Sequence, residues 1–257
     1  MNDAILRKLN SIAARFRTLY EFVALYVSLA VFGIGGIVFS VLGAVLYHLV
    51  PRQFGARLGR HLISWIFWPY LIFIESTGLF RCDISALDAL ADDGALVIVP
   101  NHPGLIDVVL IGSRLTKIVC IMKKEIQDNI MFGGCSRLAR YIRNDSTGNM
   151  IHAAVAELKQ GSHLLIFPEG TRTIKNPING FTGTFALIAR RANVPVQTVF
   201  IEYTSPFLGK GWPLWKKPVF PLTFKVTLGR RFEVGENIVS FVGALEDYFR
   251  EHLPVEK

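Results

Sequence analysis

Residues 22–47 run for 26 positions without a formal charge. About 20 apolar residues suffice to cross a bilayer, so this run needs lipid or a large core to cover it. Its flanks are basic on both sides, with Arg7, Lys8, Arg15 and Arg17 before it and Arg52, Arg57 and Arg60 after it. Near-equal flanks choose no side of a membrane. Together with Gly33, Gly35, Gly36 and Gly43 inside the run, they favour a re-entrant hairpin, bent at the glycines with both ends cytoplasmic, over a single tilted span. The run is too long and starts too late for a cleaved signal peptide. Before it, Ile5, Leu6, Leu9, Ile12 and Phe16 fall near helical spacing among the basic residues, which suits an amphipathic helix on an anionic surface or a solvated helix end. A second apolar run, 62–74, carries Trp65, Trp68, Pro69 and Tyr70. It is too short to span, and suits either the headgroup level or a helix packed beneath a globular domain.

From about Arg81 the pattern changes. Short β-rich runs at 95–99, 117–122, 163–167, 196–203 and 223–228 alternate with helical stretches at 149–159 and 185–192, and 238–253 reads as a closing amphipathic helix. Such alternation predicts an α/β fold, a mixed sheet covered by helices, with an N-terminal membrane-associated helical segment. The expected division is an anchoring helical region at 1–80 and a second domain at 81–257. Half of the residues are apolar (51%), enough for a substantial core. The net charge is +8 with only 19% charged residues, and the basic positions are scattered. That excludes a nucleic-acid partner and suits an anionic membrane surface. Cys82, Cys120 and Cys135 have no metal-ligand spacing; they read as reduced thiols in a cytosolic compartment, and no metal is expected.

Two apolar runs stop at polar clusters. After 95–99 comes Pro100-Asn101-His102-Pro103-Gly104, with Asp107 five residues beyond the histidine. A carboxylate that accepts from one ring nitrogen fixes the tautomer and leaves the other free to take a proton from a hydroxyl. After 163–167 comes Pro168-Glu169-Gly170-Thr171-Arg172-Thr173. The carboxyl ends of strands are where open α/β sheets build their sites. A lone His-x4-Asp is more often a turn plus a helix cap, and Arg172 alone would be a surface ion pair. It is the second cluster that shifts the balance. No serine or cysteine has a nucleophile's context nearby, so direct transfer to a substrate hydroxyl is simpler than a covalent intermediate.

Asn101-His102 through Asp107, and Phe167-Pro168-Glu169-Gly170-Thr171-Arg172, resemble the two signature blocks of the glycerolipid acyltransferase family over roughly residues 80–235. Lys123-Lys124-Glu125-Ile126 through Phe132-Gly133, and Val194-Pro195-Val196, resemble its two weaker blocks. The resemblance implies His102 and Asp107 as the catalytic pair, with Glu169, Gly170, Thr171 and Arg172 around the acceptor. Lys123, Lys124 and Arg143 are further candidates for a phosphate. It implies an acyl thioester of coenzyme A or acyl carrier protein as donor substrate, with no other cofactor. It also implies a membrane lipid as partner, and a cytoplasmic-membrane location with the catalytic domain facing the cytoplasm. The implied acceptor is lysophosphatidic acid in phospholipid biosynthesis. Several positions depart from the family pattern. Ile130 replaces a proline, Asn144 replaces an arginine with Arg143 one position out of register, Phe181-Thr182 replaces a basic pair, and Thr198 replaces a second proline. Loss of two cationic positions points to an alternative acceptor of the aryl polyene or ornithine lipid type. The same pair activating water would make an acyl thioester hydrolase, and a silent lipid-binding scaffold would not need it. In 211–218, two Trp beside two Lys suit either an interfacial loop or a connector whose rings cap the core.

Overall fold

A computed structural model describes residues 2–175 and 177–254, without the side chains of residues 2–6; Ile5 and Leu6 of the expected amphipathic face therefore lie outside the described side chains. The chain opens with two helices, α1 (Asn2–Leu49) and α2 (Arg52–Ser76). They are followed by β1 (Phe80–Asp83), a 3₁₀ turn (Ser85–Leu90), β2 (Val97–Pro100), α3 (Asp107–Arg114), β3 (Ile118–Met122) and α4 (Lys124–Gln127). Next come α5 (Gly133–Leu138), β4 (Ile142–Arg143), α6 (Thr147–Lys159), β5 (His163–Leu165), α7 (Thr184–Ala192), β6 (Val196–Tyr203), β7 (Leu222–Phe232) and α8 (Ile238–His252).

The seven strands form one mixed sheet in the order β1-β7-β6-β2-β5-β3-β4. All pairs are parallel except β6 with β7. The central strands β2 and β5 are buried along their length, as expected for strands covered on both faces. The crossover from β2 to β3 passes one way along the sheet and that from β5 to β6 passes the other way. Right-handed crossovers therefore put α3 and α7 on opposite faces. The carboxyl ends of β2 and β5 sit side by side where the direction reverses, the usual place for a ligand crevice.

The expected hairpin bend at the glycines is overturned. α1 is one continuous helix through Gly33, Gly35 and Gly36, and the chain reverses only at Val50-Pro51. No proline interrupts residues 22–47, and in an apolar setting a bend would leave backbone donors and acceptors unpaired. Gly43 serves close packing instead. A Cβ on Gly43 would lie 2.7 Å from the Cys135 backbone nitrogen, so its absence lets α1 and α5 touch. At that crossing the Gly134 N–H donates to Ser40 Oγ at 2.9 Å.

Along α1 the buried positions recur at helical spacing as Glu21, Ala24, Leu25, Ser28, Ser40 and Gly43. The opposite face carries exposed Val23, Val27, Val31, Ile34, Val38, Val41 and Val45. A helix apolar on both faces, with one face against the protein, turns the other to lipid. Residues 7–49 are long and apolar enough to cross a membrane, by length and composition. α2 resolves the two readings of 62–74 by face: Ile63, Leu71 and Ile74 are buried, while Trp65 and Trp68 are exposed. Arg60 does not act as a flanking charge. It turns inward and donates to Ala139 O (3.1 Å), Ser162 Oγ (3.0 Å) and Glu157 Oε2 (2.8 Å), tying α2 to α5, α6 and the start of β5.

Candidate active site

β2 ends where its partner β6 continues, and Asn101 bridges the change. Its side chain donates to Ile201 O (2.8 Å) and accepts from Ile201 N (2.7 Å), imitating a strand residue while the backbone turns out of the sheet. His102 follows on the carboxyl edge. Its Nδ1–H donates to Asp107 Oδ2 at 2.6 Å, which leaves Nε2 as the basic nitrogen. The Phe167 ring, from the end of β5, stacks on the imidazole with centroids 3.9 Å apart and planes at 24°. The ring is thus held on two sides, and its side chain remains 15% exposed.

Asp107 opens α3 and is completely buried. Oδ2 also accepts from Gly104 N–H at 3.2 Å, and Oδ1 accepts from the Tyr203 hydroxyl. Burial pushes the carboxyl above its ordinary range, and the bonds from His102, Tyr203 and Gly104 oppose that rise. Gly104 has to be a glycine, because a Cβ there would lie 2.6 Å from the Tyr203 ring. Tyr203 escaped sequence reasoning. It lies 96 residues from Asp107, and the one available signal is a polar tip at the end of the apolar run of β6.

Glu169 is brought to the site beside His102. Its side chain is buried and fully engaged: Oε1 accepts from His102 N (2.9 Å) and Thr173 Oγ1 (2.8 Å), and Oε2 accepts from Asn179 N (2.8 Å). Burial raises its pKa against those three donors. Glu169 fixes the backbone of His102 and ties the two loops together, along with the Thr173 N–H to His102 O bond at 2.7 Å. Asn179 is a second partner that the sequence did not reveal. Glu169→Gln has an NH₂ where one of these donors needs an acceptor. The variant is expected to lose roughly 1–3 kcal/mol of stability, read by thermal unfolding, with a matching fall in turnover as His102 loosens.

Gly170 turns the chain at φ +66° and is exposed; Thr171 is half-buried beside it. Arg172 is less free than its block suggests, since Nη1 donates to Leu208 O (2.8 Å) and Gly209 O (2.9 Å). Those bonds brace the 204–221 loop through one guanidinium nitrogen. Lys123 and Lys124 are exposed after β3 and Arg143 ends β4, all on the carboxyl edge. At about 4.8 Å per strand they stand roughly 10 and 14 Å along the sheet from His102. Arg143 is bound to Asp145 (3.1 Å) and Asp128 (3.4 Å), so it is not an unpaired phosphate donor. Phe181, where a basic pair was expected, packs edge-on against Phe249 at 5.2 Å.

The 204–221 loop hangs from α1 through Lys217 to Glu21 and through the Tyr26 hydroxyl to Leu214 O at 3.4 Å. Its two tryptophans divide the two readings between them. Trp212 packs edge-on against buried Phe207, while Trp215 is 79% exposed.

The family model described as Acyltransferase matches residues 81–202, which includes both polar clusters. Those residues are similar to the acyltransferase family. The chain is 32% identical over 123 residues to a lyso-ornithine lipid O-acyltransferase of Pseudomonas aeruginosa, covering 43% of this chain and 47% of that one. It is 33% identical over 163 residues to a 1-acyl-sn-glycerol-3-phosphate acyltransferase of Cocos nucifera, covering 60% and 52%. The chain spans about half the length of these curated relatives. The fold matches the crystal structure of a 1-acyl-sn-glycerophosphate acyltransferase from Thermotoga maritima, with a TM-score of 0.65 and 17% identity over 92% of this chain and 95% of that one. That likeness of fold extends over the N-terminal helices as well as the sheet.

Proposed function

We propose that this protein is a membrane-associated O-acyltransferase that moves a fatty acyl group from an acyl thioester to a lipid hydroxyl. The observation that carries the reading is the His102–Asp107 pair, with the imidazole held by Phe167 and Nε2 directed out of the hydrogen-bonded cluster. Nε2 takes the proton of the acceptor hydroxyl as its oxygen attacks the thioester carbonyl. Asp107 stabilises the imidazolium that forms. Collapse of the tetrahedral intermediate breaks the carbon–sulfur bond, and the imidazolium returns the proton to the leaving thiolate. The donor is coenzyme A or acyl carrier protein, which acts as substrate with no further cofactor or metal. Residues 1–80 anchor the chain, residues 81–257 carry the chemistry, and the active site faces the cytoplasm.

Lysophosphatidic acid is the leading acceptor, with Arg172, Lys123 and Lys124 as its cationic contacts. A lyso-ornithine lipid is the second reading. It is favoured by Arg143 being paired to two aspartates and by Phe181 packing into the core. The test is purified protein in detergent with labelled acyl thioester and either acceptor. Product from lysophosphatidic acid supports the first reading, and product from the lyso-ornithine lipid alone supports the second. Free fatty acid without acylated lipid would overturn both in favour of a hydrolase.

A further inference from the structure

We infer that Tyr203 is a positioning residue of this reaction, the third member of a Tyr203–Asp107–His102 chain in which the phenol holds the carboxylate in register for the imidazole. The inference rests on the acyltransfer reading.

Three observations carry it. The phenol hydroxyl donates to Oδ1, the oxygen that His102 does not use, so the two donors grip opposite ends of one buried carboxylate. The ring has little freedom, being packed edge-on against Phe224 with centroids 4.8 Å apart. On the other side it fits the gap left by Gly104, where a Cβ would also come within 3.0 Å of the phenol oxygen. A carboxylate with no exposed surface is out of reach of bulk solvent, so the Tyr203 O–H stands in for solvation at Oδ1. Without it Asp107 has a free oxygen and a rotational choice, and His102 inherits that slack through Nδ1. Tyr203 is bonded to Asp107 and acts through that carboxylate, with no proton transfer of its own required.

Four ionisable groups act on one another around Asp107: His102 in the β2–α3 loop and Tyr203 at the end of β6, which are in the chain itself, and beside it Glu169 in the turn after β5 and Cys82 on β1, whose charge would oppose ionisation of the phenol. The phenol is held far toward its neutral form by burial and by the neighbouring carboxylate, so it remains a donor. Removing the donor makes the pair bind its next proton more readily, and the acid limb of the pH–rate profile moves to higher pH.

The experiment is Tyr203→Phe in the full chain, with kcat, KM for both substrates, the pH–rate profile and a melting curve. The expected result is a fall in kcat of about 10- to 100-fold, KM values within about twofold, and the acid limb shifted upward. An unmoved acid limb overturns the inference, whether kcat is unchanged or falls with the melting temperature. If the phenylalanine variant does not fold, Gly104→Ala, which crowds the ring and displaces the hydroxyl, is read in the same way. The downfield NMR resonance of the proton between His102 Nδ1 and Asp107 supplies a readout independent of turnover. A shift in Tyr203→Phe supports the chain, and an unmoved resonance overturns it. Wild-type protein that transfers no acyl group would instead refute the acyltransfer reading, with this resonance still reporting on Tyr203.

Discussion

His102→Ala is expected to lower acyl transfer by about 10³- to 10⁴-fold, the loss typical of removing a positioned base together with its share of transition-state stabilisation. Little else should change. The His102 backbone N–H that Glu169 accepts remains in the alanine variant, as does the carbonyl that accepts from Thr173. The loops therefore stay tied. The side chain lost is one stacked on Phe167 and partly exposed, so the fold should survive with a modestly lowered melting temperature. Turnover with labelled acyl thioester is the measurement. A folded variant that keeps activity within about tenfold of wild type would sink the mechanism.

Asp107→Asn is expected to separate activity from stability. Oδ2 accepts two N–H groups, from His102 and Gly104, so the amide oxygen has to sit there. The NH₂ then takes the place of Oδ1, and the Tyr203 hydroxyl rotates to accept from it. The tautomer of His102 is kept, but the charge that stabilises the imidazolium is lost. We expect kcat to fall about 10²- to 10³-fold, less than the ~10⁴-fold drop of a triad in which the same change forces the wrong tautomer. Stability moves the other way. Burial raises the carboxyl above its unfolded value of about 3.9. A group raised in this way contributes stability that is complete below about pH 4 and is lost as pH rises through its folded value. The asparagine has no such loss, so the melting temperature of the variant relative to wild type should climb as pH increases from about 4. Parallel melting curves across that range would mean that the carboxylate is solvated better than its burial indicates.

Most of the sheet was readable in advance. The run 196–203 became β6 without adjustment, and 163–167 and 117–122 became β5 and β3 within two residues, because buried strands are continuous apolar runs. The helices at 149–159 and 185–192 were likewise found within two residues at their starts. Elements with little periodicity to read were missed, among them the two-residue β4 and the short α4 and α5. The glycines of α1 misled because a glycine's freedom to bend is a local property. Whether it is used depends on what the helix packs against, and Gly43 is there to admit α5.

The candidate site divides along the same line. Asn101, His102 and Asp107, and the stretch from Phe167 to Thr173, lie close in sequence, so two polar clusters at strand ends were legible there, as were the α/β alternation and the uncharged apolar segment. The folded chain alone decided what each polar group has left to offer. It committed Glu169 to three donors, tied Arg143 to two aspartates, engaged Arg172 with two carbonyls and delivered Tyr203 to Asp107. The physical reason is that a hydrogen-bond donor or acceptor is saturable: its chemistry follows from its residue type, but its availability depends on partners that strand order brings from distant parts of the chain.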